Sequence, residues 1–188
     1  MKVAVYSGTF NPLHIGHKAI MSYLTEKMDF DCVYLIVSPK NPLKTSVSAD
    51  SARARYEAAC EAVGKYGLKA KVDDIELGMP APQYTVRTLD ALKAREPWNS
   101  FTLVVGADNL ANLHNWKDYR KILSEYGIVV FPRDGFDAAA MKMELEKELE
   151  KDRLPCRVRL AGAPLVNISS TEIRKGLAEG RDMSEYLM

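Results

Sequence analysis

Apolar and polar positions alternate along this chain in two rhythms, short runs of branched residues and longer stretches with a period near 3.6. The short runs predict strands at Lys2–Tyr6, Cys32–Val37, Lys69–Ile75, Phe101–Val105, Gly127–Phe131 and Cys156–Leu160. The longer stretches predict helices over Gly16–Met28, Ala49–Tyr66, Thr85–Arg95 and Ala138–Lys151, with a further helical region from Leu110 to Ser124. In the first helix Ile20, Leu24 and Met28 recur at i, i+4 and i+8 with Tyr23 alongside, a stripe wide enough to bury. The segment MKMELEKELEKD keeps Met141, Leu145 and Leu149 on one face, as a solvated helix packed on a sheet requires. Strand alternating with helix in this way predicts an α/β fold with a parallel sheet.

The strands differ in a way that orders them. CVYLIV and FTLVV are nearly continuous apolar runs, suited to strands covered on both faces. KAKVDDI and CRVRL alternate with charge and suit sheet edges. These are the third and sixth strands, which a doubly wound sheet of order 3-2-1-4-5-6 places outermost. In such a sheet ligands bind beyond the carboxyl ends of strands 1 and 4, where the order reverses. The loops leaving those strands are GTFNPLHIGH, from Gly8 to His17, and GADNL, from Gly106.

The 188 residues suit one domain over 1–188, and the balance of 47% hydrophobic to 27% charged residues is that of a globular protein. A formal net charge of +1 gives no overall pull toward nucleic acid or a membrane, so any anion binding must be built locally. No stretch approaches the roughly 20 apolar residues of a membrane span, and the apolar run after Met1 is too short for a signal segment. Cys32, Cys60 and Cys156 are far apart and match no zinc or redox spacing. They read as buried thiols in a cytoplasmic protein. Trp98, beside Pro97, reads as ordinary packing.

His14 and His17 stand three apart where the first strand gives way to a helix. A metal site would need more ligands: the only other histidine is His114, and no carboxylate or cysteine lies in the motif. Nothing resembles a serine or cysteine nucleophile elbow. Two uses remain open. The rings either satisfy backbone groups around a tight turn, or they donate N–H groups to an anion that Gly8 and Gly16 let approach closely.

The segment VNISSTEIRKGL adds a second anion-suited helix start. Ser169 and Glu172 have capping-box spacing, Ser170 and Thr171 bring hydroxyls to the first turn, and Arg174 lies on their face one turn on. Lys44, in the loop after the second strand, is either a further cation for the site or a surface lysine.

With both motifs in view, the chain resembles the HxGH nucleotidyltransferases, through His14-Ile15-Gly16-His17 and the ISSTxxR-type run Ile168–Arg174. Within them it is most similar to bacterial nicotinate-nucleotide adenylyltransferases, through PQYTVRTL (Pro82–Leu89), GADNLANLHNW (Gly106–Trp116) and FPRDG (Phe131–Gly135). The resemblance implies a Rossmann-like fold and transfer of AMP from ATP to nicotinate mononucleotide, with Mg²⁺ held mainly by the ATP phosphates. It implies that His14, His17 and Arg174 are catalytic. Gly8, Thr9, Phe10, Gly16, Gly106, Asp108, Ile168, Ser170 and Thr171 would bind ATP, with Gly106 and Asp108 on its adenosine part. Lys44, Tyr84, Thr85, Trp116 and Arg133 would serve the acceptor, Trp116 by stacking on the pyridine ring. No residue is assigned as a metal ligand, neither nucleic acid nor membrane is implied as a partner, and a homo-oligomer is left open.

Two stretches depart from the family pattern. Where relatives often show PPHK, this chain has Asn41-Pro42-Leu43-Lys44, without the histidine. Where many show RPG, it has Arg133-Asp134-Gly135. Rival expectations are a different acceptor, such as nicotinamide mononucleotide or phosphopantetheine, a cytidylyl donor, or a non-catalytic adenine-nucleotide sensor.

Overall fold

In a computed structural model of the protein, residues 1–39, 49–164 and 168–188 are described. Six strands form one parallel sheet: β1 (Lys2–Gly8), β2 (Cys32–Val37), β3 (Ala70–Asp73), β4 (Ser100–Gly106), β5 (Ile128–Phe131) and β6 (Val158–Leu160). Their order is β3-β2-β1-β4-β5-β6, as the distribution of apolar runs predicts. The edges are short and partly exposed. Arg159 and Leu160 of β6 are exposed, whereas Leu35, Ile36 and Val37 of β2 are fully buried. A strand buried on both faces must be apolar throughout, while an edge strand needs only alternate apolar positions.

The chain divides into two compact units. One comprises Met1–Tyr6 and Gln83–Leu165. In it β1 pairs with β4 in the register Val3↔Phe101 to Tyr6↔Val104, and β4 pairs with β5 through Val105↔Val130 and Gly106↔Phe131. Helices α3 (Thr85–Arg95) and α6 (Ala138–Lys151) bury Leu89, Leu92, Leu145 and Leu149, with α4 (Ala107–Ala111) and α5 (Tyr119–Lys121) between them in sequence. The other unit comprises Ser7–Pro82 and Val166–Met188, with α1 (Ile15–Lys27), α2 (Ala49–Lys65) and α7 (Ser170–Ala178). There β2 and β3 pair from Val33↔Ala70 to Ile36↔Asp73.

Several expectations are corrected. The helical region from Leu110 to Ser124 is broken: α4 ends at Ala111, a 3-10 turn covers Leu113–Asn115, and Trp116 is extended at φ −84°, ψ 139°. Asp118 is left-handed at φ 51°, and a π-helical turn over Ile122–Tyr126 follows α5. Asn112 and Asn115 favour turns over helix interiors, which explains the break. The third strand ends at Asp73 and passes into a 3-10 turn, Ile75–Gly78, while β6 begins only at Val158. The buried face of α1 centres on Met21 and Leu24, with Ile20, Tyr23 and Met28 half-buried at its margin. The cysteines are not a buried set: Cys60 is exposed, and Cys32 and Cys156 are half-buried, where burial pushes both thiols above their usual range. Trp98 is not packing residue but surface, 74% exposed.

Candidate active site

β1 runs out at Gly8 into Thr9 and Phe10, and Phe10 is left-handed at φ 44°. A cis peptide joins Asn11 to Pro12, and His14 becomes the N-cap of α1. The cap is built from two imidazoles. His14 Nδ1 accepts the Gly16 N–H at 3.2 Å, and His17 Nδ1 accepts the His14 N–H at 3.1 Å. Their rings stack with centroids 3.7 Å apart, and the Phe10 ring meets His17 edge-on at 5.1 Å.

This reciprocal cap satisfies orphan N–H groups of a helix start, the usual work of Ser and Glu in a capping box. A backbone amide can only donate, so each Nδ1 presents a lone pair. The neutral rings therefore carry their hydrogen on Nε2. The two uses left open by the sequence prove compatible in one residue: Nδ1 holds the turn while Nε2–H is a donor.

Gly16 lies in a close approach of the two motifs. A Cβ there would lie 3.0 Å from the His14 ring and 3.3 Å from Cγ2 of Ile168. The second motif thus abuts the first. Ser169 caps α7, accepting the Glu172 N–H at 3.2 Å and donating to Glu172 Oε2 at 2.7 Å. Ser170 Oγ donates to the Pro12 carbonyl at 2.9 Å, and Arg174 Nη1 donates to the Asn11 carbonyl at 2.6 Å. Arg174 Nη2 also donates to Thr171 Oγ1 at 3.0 Å. The Ser170 proton is therefore directed to the histidine loop. Thr171 retains its proton as a donor, and Arg174 retains further N–H groups of its five. Sequence spacing could not reveal that α7 is fastened to residues 11 and 12, nor that Leu187 bridges to His14 in antiparallel fashion.

The unit containing β4 carries the remaining described candidates. Asp108 lies in the first turn of α4, and Arg133 Nε stands 3.6 Å from its Oδ1. A Cβ on Gly106 would come within 2.3 Å of that oxygen and 3.0 Å of the guanidinium Nε, so the carboxylate can fold back only over glycine. Both partners are roughly half exposed, and such a pair contributes under about 1 kcal/mol. Its effect is orientation of Asp108. Arg133, grouped by sequence with the acceptor residues, is set beside the residue grouped with adenosine. Tyr6, which the sequence did not single out, feels both: burial holds its hydroxyl well above its usual range, Arg133 draws it down and Asp108 pushes it up.

Tyr84 is the N-cap of α3 and Thr85 its first residue. Lys117 Nζ stands 5.0 Å from the Tyr84 ring centroid and the Arg87 guanidinium 5.5 Å. Lys117 follows the half-buried Trp116, so two segments distant in sequence meet at Tyr84. Lys117 and Arg87 went unnoticed in the sequence, although charge one residue from Trp116 and three from Tyr84 was a legible signal. Lys44 lies outside the described residues. Among the described residues no group of three or more His, Cys, Asp or Glu is placed to hold a metal ion.

A model of the cytidylyltransferase-like family matches residues 5–176. A Flavobacterium johnsoniae protein named "probable nicotinate-nucleotide adenylyltransferase" is 35% identical over 187 residues, covering 100% of this chain and 92% of that one. A Bacteroides fragilis protein of the same name is 37% identical over 186 residues, covering 99% and 87%. Among solved structures, Plasmodium falciparum nicotinic acid mononucleotide adenylyltransferase complexed with NaAD superposes with a TM-score of 0.75. It covers 99% of this chain and 90% of its own, at 17% identity, a likeness of fold. The chain belongs to the cytidylyltransferase-like family of nucleotidyltransferases and, within it, to the nicotinate-nucleotide adenylyltransferases.

Proposed function

We propose that this protein transfers the AMP moiety of ATP to nicotinate mononucleotide, forming nicotinate adenine dinucleotide and pyrophosphate. A phosphate oxygen of the mononucleotide attacks the α-phosphorus of ATP. The new P–O bond forms as the bond to the bridging oxygen of the β-phosphate breaks, and that oxygen leaves with the electron pair on pyrophosphate. The nucleophile is already ionised near neutral pH, so the step needs positioning and charge stabilisation rather than a general base.

The observation that carries the proposal is the paired imidazole cap. With both Nδ1 atoms accepting backbone N–H groups, His14 and His17 bear their hydrogens on Nε2, and they are pre-oriented donors for phosphate oxygens that gain charge as pyrophosphate departs. Thr171 and Arg174, fastened to the same loop, supply further donors. Gly106 and Asp108 serve the adenosine portion. Tyr84, Thr85 and Trp116 receive the nicotinate ring, and the positive charge of Lys117 and Arg87 around Tyr84 favours a carboxylate-bearing acceptor.

Mg²⁺ would accompany the nucleotide substrate, held mainly by its phosphate oxygens and water, as this ion commonly is beside phosphates. No described helix is long and apolar enough to cross a membrane, and the soluble substrates fit a cytoplasmic enzyme.

Pyrophosphate release with ATP and either nicotinate or nicotinamide mononucleotide tests this function. Turnover should be faster with the acid by at least about tenfold in kcat/KM, the effect of roughly 1.4 kcal/mol at a charged contact. Equal or faster turnover with the amide would overturn the acceptor assignment, and tight ATP binding with no turnover would leave a nucleotide sensor.

A further inference from the structure

Arg55, on α2, belongs to none of the motifs described above, yet it is 7% exposed at the loop that carries the histidines. Its Nη1 donates to the Thr9 carbonyl and, at 2.9 Å, to the Ser38 carbonyl, while Nη2 donates to the Pro39 carbonyl at 2.9 Å. These acceptors lie on the segments leaving β1 and β2, which are tied to each other by the Ser38 N–H donating to the Gly8 carbonyl at 2.9 Å. Among the described residues no carboxylate pairs with Arg55, and its Nε is buried without a hydrogen-bond partner. The buried Glu76 next to these segments is engaged by hydroxyls, accepting from Ser38 Oγ at 2.5 Å and from Ser7 Oγ at 3.5 Å.

Burying a cation without a counter-ion is costly, and neutral carbonyls compensate for it only in part. Such a group persists where its charge or its geometry is used. The geometry is visible here in the three carbonyls that the guanidinium spans. The Thr9–Phe10 peptide is trans, so its carbonyl and N–H point in opposite directions. Holding the carbonyl on Arg55 turns the Phe10 N–H away from the guanidinium. It also polarises the peptide, which makes that N–H a better donor. The left-handed φ of 44° at Phe10, uncommon for a residue with a side chain, is held between this anchor and the ring contact with His17.

We propose that Arg55 is a positioning residue of the adenylyl-transfer site, a buried cation that fixes the Thr9–Phe10 peptide for donation to the ATP phosphates and receives from them the counter-charge that the described residues do not supply. This rests on the assignment of the Gly8–His17 loop to ATP. The step itself is unchanged: Arg55 forms and breaks no covalent bond.

The test compares wild type with Arg55→Met and Arg55→Lys. Calorimetry with ATP or inorganic pyrophosphate, without acceptor, gives affinity, and steady-state kinetics gives kcat and both KM values. Loss of a buried charge contact should weaken ATP and pyrophosphate binding by Arg55→Met by about tenfold or more. The KM for nicotinate mononucleotide should stay within about twofold. Arg55→Lys keeps the charge but lacks the fork that spans three carbonyls. It should keep ATP affinity within about threefold while kcat falls about tenfold through misplacement of the loop. A purely structural role would lower melting temperature while leaving ligand affinities and kcat within twofold, and that result overturns the proposal. So does a loss confined to the mononucleotide. Should Arg55→Met not fold, Arg55→Lys decides: unchanged kcat is fatal. Because the binding arm uses no acceptor, the Arg55 result is read separately from acceptor choice; failure of the wild type to bind ATP would instead remove the function on which it rests.

Discussion

At the scale of single residues, the histidine pair joins an observed structural role to a proposed chemical one in the same side chain. Nδ1 of His17 caps α1 and Nε2–H is the donor proposed to act on phosphate, so the two contributions can be separated by substitution. His17→Ala should remove both, costing about 1 kcal/mol of stability and lowering kcat by two orders of magnitude or more. His17→Asn should place an amide oxygen near the Nδ1 position and recover most of the stability, while kcat stays about a hundredfold down. Thermal melts and pyrophosphate release measured on both variants check this, and an asparagine variant with near wild-type turnover would contradict it. The two histidines were legible because HxGH places them at a strand-to-helix junction. Their tautomers were not, since those depend on which backbone N–H each ring meets. Arg55, Tyr6 and Lys117 were hidden for a similar reason: each is an ordinary residue type whose setting comes only from contacts with residues distant in sequence.

Among the elements, α7 does more than offer a helix start. Ser170 and Arg174 bind the carbonyls of Pro12 and Asn11, so this helix holds the histidine loop as well as contributing the donors proposed for ATP. Arg174→Ala should therefore raise the ATP KM and lower kcat together, whereas Arg174→Lys, which can reach one carbonyl but cannot fork, should recover only part of either. Unchanged ATP kinetics in the alanine variant would contradict a place for the arginine in the ATP site. A second linkage joins the broken helical region to α6. Glu148 accepts from Tyr119, from Arg120 Nη2 at 2.5 Å and meets His114 Nε2 at 2.8 Å. The Tyr119 hydrogen bond, then that of His114, holds its carboxyl below the usual carboxylate range. A depressed folded-state value stabilises the fold above the unfolded value near 4.5, and that contribution is lost as pH falls through the folded value. Glu148→Gln should thus melt lower than wild type at neutral pH, with the gap closing below about pH 4.5; a gap independent of pH would refute the linkage. Strands and long helices were readable from periodicity. The region from Leu110 to Ser124 was not, because scattered apolar residues fit a continuous helix as well as the three short turns that Asn112, Trp116 and Asp118 impose.

For the molecule as a whole, strand order followed from burial. CVYLIV suits the inside of a sheet, while KAKVDDI and CRVRL suit its edges, and the doubly wound order β3-β2-β1-β4-β5-β6 places them so. Single side chains escaped that logic. Trp98 is exposed and Cys60 lies on the surface, since a hydrophobic residue is not obliged to be inside. In this nearly neutral chain Arg55 and Arg174 bind carbonyls of the histidine loop, and Lys117 and Arg87 flank Tyr84. The central claim, that the bond broken lies between the α- and β-phosphates of ATP, is tested most directly by following isotopic label from ATP in the presence of nicotinate mononucleotide. Label at the α-phosphate should appear in the dinucleotide and label at the γ-phosphate in pyrophosphate. Transfer of γ-label to the acceptor, or its release as inorganic phosphate, would contradict the account.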